Sequence, residues 1–308
     1  MQLAVAGTPG ADYRWRTMSS DHEALAFAAE QPAALCTIVA IDGSFSRRTG
    51  AQLAVAPDGT IAGDLADNCL NAELANQAIE AMESSGDNGG ARLLRYGKGS
   101  PFIDFRLPCG SGLDILIEPA PDREALQGCM ATLAARQGAE LALPLPLAAN
   151  PVFLRTRRYM PPLRLLVLGA GSECSALVKL AQTQGIEAEW REAGNHLSLD
   201  KVPADLLDGT WAADPWTAIL LLFHDHEWEY ALLKWALGTN AFYVGAQGGA
   251  PARMARLERL KAGGVNDDAL ARLRSPVGLI PKARDSSVLA LSVLADVVGA
   301  YEALHPHQ

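Results

Sequence analysis

Cysteine is scarce in this chain, and its placement excludes a disulfide framework. The five residues (Cys36, Cys69, Cys109, Cys129 and Cys174) are odd in number, widely spaced and contain no Cys-x-x-Cys pair, a pattern that predicts free thiols in a reducing compartment. Positive charge is also in deficit. Lys and Arg number 26 against 35 Asp and Glu, for a net charge of -9. A nucleic-acid binder would carry a basic footprint, and an anionic membrane surface would repel this chain. No apolar run reaches transmembrane length; the longest, Ala218 to Phe223, is strand-sized. The first residues lack a charged segment followed by an apolar one, so no signal peptide is expected and the expected location is cytoplasmic. Repeats and low-complexity tracts are missing, and so is any Tyr-x-x-x-Lys set of the kind hydride transfer uses.

What is present describes a globular protein. The apolar fraction is 49% and the charged fraction 20%, and the length allows two domains. The pattern reads as α/β: an α+β N-terminal domain (17–120), a connecting helix with a proline-rich linker or edge segment (121–162), and a Rossmann-like parallel-sheet domain (163–308). In the first part, Ser20 and Glu23 mark a helix start. Ala34–Ile41 reads as a strand, Gln52–Ala56 and Thr60–Gly63 as a hairpin around Pro57-Asp58-Gly59, Asn68–Ser84 as a helix, and Arg92–Tyr96 and Leu113–Ile117 as strands. Arg123–Gln137 reads as a helix, and five prolines between Leu141 and Pro162 predict an extended segment. In the last part, strands are expected at Leu165–Leu168, Ile186–Arg191, Ala218–Phe223 and Ala241–Val244. Helices are expected at Ser175–Ala181, Glu229–Leu237, Pro251–Ala262, Asp267–Arg272 and Ser286–Ala303.

The most informative stretch is Leu165-Leu166-Val167-Leu168-Gly169-Ala170-Gly171-Ser172-Glu173-Cys174. A buried strand, Gly-x-Gly and a helix form the opening of a nucleotide-binding unit, because glycines admit a phosphate and the helix N-terminus favours an anion. Cys174 stands where the third glycine would be. Glu192, about twenty residues past Gly171, is placed to meet a ribose. Glu173 puts a negative charge where a pyrophosphate would lie.

Other residues could carry chemistry. Cys69 stands at a helix start, where the dipole favours a thiolate, and Cys109 lies in a Pro-Cys-Gly loop; either thiol could instead be a small buried hydrophobe. Cys36 and Cys129 fall in apolar periodic segments and read as core. Arg47 and Arg48, among Ser, Thr and Gly, form a loop able to grip a phosphate or a carboxylate, or a solvated turn. His224-Asp225-His226-Glu227 ends a strand and reads as a loop at the ligand-binding edge of a parallel sheet more than as a metal site. Arg253, Arg256, Arg259 and Lys261 stud one helix and read as a solvated face, with an acidic docking partner as the sharper reading. His305 and His307 read as a solvated tail.

Four stretches together resemble the xanthine dehydrogenase accessory protein family, XdhC/CoxI. Gly43-Ser44-Phe45-Ser46-Arg47-Arg48-Thr49-Gly50-Ala51 is similar to the family's G-S-x-P-R-x-x-G-A. Leu107-Pro108-Cys109-Gly110 with Ile115-Leu116-Ile117-Glu118-Pro119 resembles its L-P-C-G-G and following strand. Phe242-Tyr243-Val244-Gly245-Ala246 resembles its Y-[IV]-G. Ser275-Pro276-Val277-Gly278-Leu279 with Leu289–Asp296 resembles its P-[IV]-G-L and the helix after it. Departures fall on anion-gripping positions: Ala66-Asp67-Asn68-Cys69 replaces S-G-G-C, Ser172-Glu173-Cys174 replaces H-V-G, and Ala250-Pro251-Ala252-Arg253 replaces a segment with two cations.

The resemblance implies a maturation factor more than a turnover enzyme. It implies a chaperone that binds the molybdenum cofactor (molybdopterin) and passes it to a xanthine-dehydrogenase-type molybdenum hydroxylase as client. Cys109 and Cys69 would contact the metal or its sulfur ligands, Arg47 and Arg48 would hold the phosphate, Gly110 would belong to the cofactor site, and Gly169 and Gly171 would frame a second anion or nucleotide, with Glu192 at its ribose. A homodimer stays open. The rival readings are an NAD(P)-binding oxidoreductase using the C-terminal domain and a non-catalytic adaptor.

Overall fold

The computed structural model describes residues 20–65, 68–84, 90–101, 110–145, 149–195, 197, 201–207 and 214–307, with the side chains of 20, 21, 68 and 69 outside the description. Two compact units result, Met1–Pro161 with Pro306–Gln308, and Pro162–His305.

The first unit opens with α1 (Ser20–Glu30), followed by β1 (Ala34–Asp42), β2 (Gln52–Val55), β3 (Ile61–Gly63), α2 (Asn68–Glu83), β4 (Arg92–Gly97), β5 (Gly112–Glu118) and α3 (Arg123–Ala134). The strands form one antiparallel sheet in the order β3-β2-β1-β5-β4. β1 is central, so Ala34–Val39 are buried on both faces and, but for Thr37, apolar rather than alternating. Ala34, Cys36 and Ile38 of β1 pack with Leu70, Leu74 and Ala78 of α2. Leu35 on the other face packs with Leu25 and Ala28 of α1 and Leu126 and Leu133 of α3. α3 starts where Asp122 accepts the N–H groups of Glu124 and Ala125, at 3.0 and 3.2 Å.

β6 (Ala139–Ala142) and β7 (Thr156–Tyr159) pair antiparallel, and Leu143 and Leu145 between them pack on Val39 and Leu116. The prolines sit outside the paired residues, where no ladder N–H is needed. His307 corrects the expectation of a solvated tail: it is buried, and its Nε2 accepts the Arg158 N–H at 2.9 Å.

The second unit runs β8 (Arg164–Gly169), α4 (Ser172–Thr183), β9 (Glu187–Glu192), α5 (Ala204–Leu207), β10 (Thr217–Leu222), α6 (Glu229–Leu237), β11 (Tyr243–Ala246), α7 (Ala250–Ala262), α8 (Asp267–Ala271), β12 (Leu273–Arg274) and α9 (Ser286–Glu302). All its strands are parallel, in the order β12-β11-β10-β8-β9. The chain steps from β8 outward to β9 and then back across to β10. That reversal places a crevice at the carboxyl ends of β8 and β10, the usual ligand position in such sheets. Leu166 and Leu168 of β8 and Ile219 and Leu221 of β10 join Leu232, Leu233 and Ala236 of α6 and Leu260 of α7 in one core. α4 packs against α9, whose start is fixed by Asp285 accepting the Ser287 N–H at 2.9 Å. Among the described residues, no helix is long and apolar enough to cross a membrane.

α4 begins at Ser172, three residues earlier than the sequence predicts, directly after Gly171. Gly169 could not be another residue without displacing the ladder: a Cβ there would lie 2.3 Å from the Leu222 carbonyl oxygen and 2.9 Å from Cys174 Sγ. Gly169→Ala is therefore expected to lower the urea midpoint of the second unit, at a cost of about 2–3 kcal/mol; an unchanged midpoint would show that β8 and β10 can separate at that end.

Candidate functional site

The expected ligand-gripping stretches of the first unit meet at one end of its sheet. Asp42, the last residue of β1, stands opposite Gly112, the first of β5. The loop leaving β1 and the loop entering β5 are thus neighbours. The Ser111 hydroxyl donates to the Ser44 carbonyl oxygen, and Arg95 closes the same end by pairing with Asp114 at 2.5 Å and Asp42 at 3.2 Å. Arg47 crosses to Asp64, and its guanidinium donates to the Asp64 carboxylate. Asp64 also accepts from Asn71 Nδ2 at 2.8 Å, in the first turn of α2. The structure therefore gathers the Arg47–Arg48 loop, Gly110 and the N-terminal turn of α2, which carries Cys69. Cys109 lies outside the described residues, as does the side chain of Cys69.

Arg47 meets a carboxylate of the chain itself, Asp64, one of the two kinds of group its loop is expected to be able to grip. Its Nε is nonetheless buried and has no acceptor among the described residues, a donor left for a further partner. Asp64 and Asn71 belong to this cluster without standing out in the sequence. Only the register of β1 with β5 and the return of α2 bring them to the loop, and neither has a local sequence mark.

In the second unit the glycine turn holds an anion of its own. Gly171 has φ of +104° and caps α4 without a side-chain hydrogen bond. Glu173, in the first turn, folds its carboxylate back: Oε2 lies 3.0 Å from where a Gly171 Cβ would be, and Oε1 lies 3.4 Å from His224 Nε2. A carboxylate at a helix N-terminus is favoured by the helix dipole, and Glu173 sets one beside the turn that a pyrophosphate would approach. Glu192 stands beside Gly169 in the β8–β9 ladder, and its Oε2 accepts from Asn195 Nδ2 at 2.6 Å.

Beyond the ends of β10 and β11, a cavity of about 420 Å³ lies between α6 and α7. Its floor is a buried ion pair. Arg256 donates through Nε and Nη2 to both oxygens of Glu229 at 2.7–2.9 Å, through Nη1 to Ser275 Oγ at 2.7 Å and through Nη2 to the Gln247 carbonyl at 2.8 Å. Arg256 thus departs from the solvated face predicted for its helix. His226 Nδ1 lies 3.2 Å from Glu229 Oε1. Burial raises the Glu229 carboxyl above its ordinary pKa, against the pull of Arg256 and His226. Arg259, by contrast, is exposed and lies over the Tyr230 ring, its Cζ 4.6 Å from the ring centroid. Tyr230 had no sequence signal; its partner is on the next helix.

His224 and His226 do not act together: one faces Glu173 and the other Glu229. Among the described residues, no three His, Cys, Asp or Glu side chains are grouped to hold a metal. Cys36, Cys129 and Cys174 are free and buried. Burial, with Glu118 and Glu173 respectively adding to it, pushes the Cys36 and Cys174 thiols up to about 12. These thiols are inert at neutral pH.

Comparison with known proteins is consistent along the chain. Residues 26–97 match the model of the XdhC and CoxI family, and residues 165–297 that of the XdhC Rossmann domain. The molybdenum cofactor insertion chaperone PaoD of Escherichia coli (strain K12) is 33% identical over 298 residues, covering 91% of this chain and 89% of that protein. A probable xanthine dehydrogenase subunit of Bacillus subtilis (strain 168) is 24% identical, covering 87% of this chain and 93% of that protein. The crystal structure of a xanthine dehydrogenase from Bacillus halodurans shares the fold, with a TM-score of 0.68 at 22% identity over 94% of this chain and 97% of the other.

Proposed function

Because the chain belongs to the XdhC and CoxI family, we propose that it binds the molybdenum cofactor as cargo and delivers it to a molybdenum hydroxylase client of xanthine-dehydrogenase type. Its likeness to PaoD along nearly the whole chain supports a chaperone more than a turnover enzyme. The observation that carries the reading is the convergence in the first unit of the Arg47–Arg48 loop, Gly110 and the start of α2.

The residues present fit such a cargo. The orphaned Nε of Arg47 is a donor for an anion, and a phosphate would share Arg47 with Asp64. Cys69 opens a helix, where a thiolate is favoured. Cys109 immediately precedes Gly110, and soft thiolates suit molybdenum and its sulfur ligands. In this reading Cys109 and Cys69 contact the metal end of the cargo, and Arg47, Arg48 and Gly110 its phosphate end. NAD(P) is not part of it, since Glu173 faces the glycine turn. We place the activity in the cytoplasm, where free thiols stay reduced.

The test is anaerobic incubation of the full chain with isolated pterin cofactor, gel filtration, and assay of molybdenum and pterin in the protein peak. Retention is expected, with a loss of about tenfold or more in Cys109→Ala. Protein that emerges without molybdenum or pterin, from a preparation that is otherwise folded, would end the chaperone reading for this chain.

A further inference from the structure

The cavity between α6 and α7 belongs to neither the thiol cluster nor the glycine turn. Its place is nevertheless that of a ligand site, since open parallel sheets bind ligands beyond the carboxyl ends of their strands. The crevice nearest β8 is occupied by Glu173. The cavity beside β10 and β11 is open and within the size range of small-molecule pockets.

Its walls define what it would hold. Tyr230, Leu233, Ala252 and Ala255 give it an apolar lining. Arg259 stacked on Tyr230 offers a flat cationic face held in place before any ligand arrives. At the strand end, His226 has Nδ1 committed to Glu229, and Glu229 is itself fixed by Arg256. Nδ1 lies 3.2 Å from Glu229 Oε1 and 3.5 Å from Arg256 Nη2, which leaves Nε2 as the ring nitrogen available to a ligand. Charge sets the remaining limit: Arg256 is cancelled by Glu229, and Arg259 is outnumbered by Asp225 and Glu227 on the same lining. Such a lining attracts no polyanion.

We infer that the α6–α7 cavity binds a planar aromatic heterocycle bearing ring nitrogens or amino groups, stacked on the Arg259–Tyr230 pair and hydrogen-bonded to His226 Nε2. The size admits a bicyclic ring, and phosphate groups contribute nothing to its hold.

The probes are adenosine, guanosine and pterin, with AMP and ATP as the phosphate series, titrated into the full chain by calorimetry and by saturation-transfer NMR. At least one ring probe is expected to bind saturably, with AMP and ATP no tighter than adenosine. Affinity should fall about tenfold in Arg259→Ala and in Tyr230→Leu. Cys109→Ala separates the two proposals: pterin held at the thiol cluster is lost in that variant, whereas the cavity's ligand is kept. Arg259 is exposed, so that variant keeps the fold even if Tyr230→Leu does not. No saturable binding by any ring probe, binding indifferent to Arg259→Ala, or binding that rises with phosphate number would each overturn the inference.

Discussion

Removing the Glu229 carboxylate is expected to destabilise the second unit by about 3–5 kcal/mol. Glu229 and Arg256 are 2% and 4% exposed at their side chains, so little of the guanidinium meets water. Alanine at 229 would leave a buried cation with only a hydroxyl and a carbonyl as partners, the costly way to break such a pair. Replacing both partners by apolar residues, as in Glu229→Leu with Arg256→Met, should recover most of the loss, because two desolvated charges leave together. Urea denaturation followed by a probe in the second unit measures this, with the midpoint shifting and the slope kept. A single Glu229→Ala variant within about 1 kcal/mol of wild type would mean that the pair contributes nothing to holding α6 against α7.

Stability of the first unit should fall as pH rises through neutrality, and Glu118 is the cause. This carboxyl ends β5, is 8% exposed, and its Oε2 has no hydrogen-bond partner among the described residues. Burial pushes it up from 4.5 to about 7. The folded state therefore keeps a proton that the unfolded chain has already released. Its contribution is fully present below about pH 4.5 and is lost as pH climbs through about 7. At about 1.4 kcal/mol for each pH unit between those values, the loss reaches about 3 kcal/mol. Glu118→Gln has no proton to lose. It should match wild type near pH 4.5 and exceed it by up to about 3 kcal/mol at pH 8. Thermal midpoints of both proteins at the two pH values decide it. Parallel pH dependence in the two would assign the effect to another group.

How far the sequence reveals this molecule depends on the range of the interaction. The β8 turn and α4 are readable because strand, glycines and helix are contiguous. The starts of α3 and α9 are readable because Asp122 and Asp285 cap locally. β12 has two residues and no periodicity to show. β6 and β7 pair at the two ends of a stretch whose prolines predict an extended linker or edge segment, without saying which. Arg256 reads as a solvated charge because its partner lies 27 residues earlier. In the candidate site, loop 43–50 and Gly110 could each be picked out by residue type, but their meeting depends on the β1–β5 register. The Asp64 that neutralises Arg47 lies 17 residues beyond it, with no pattern joining them.

Glu173 has a consequence for how the second unit responds to its surroundings. A domain that borrows its anion from a nucleotide gains stability by mass action and loses it on dilution. Here the anion is covalently part of the chain, at an effective concentration that dilution cannot change. Melting of this unit should be indifferent to added dinucleotide, and its folding independent of the nucleotide pool of the cell.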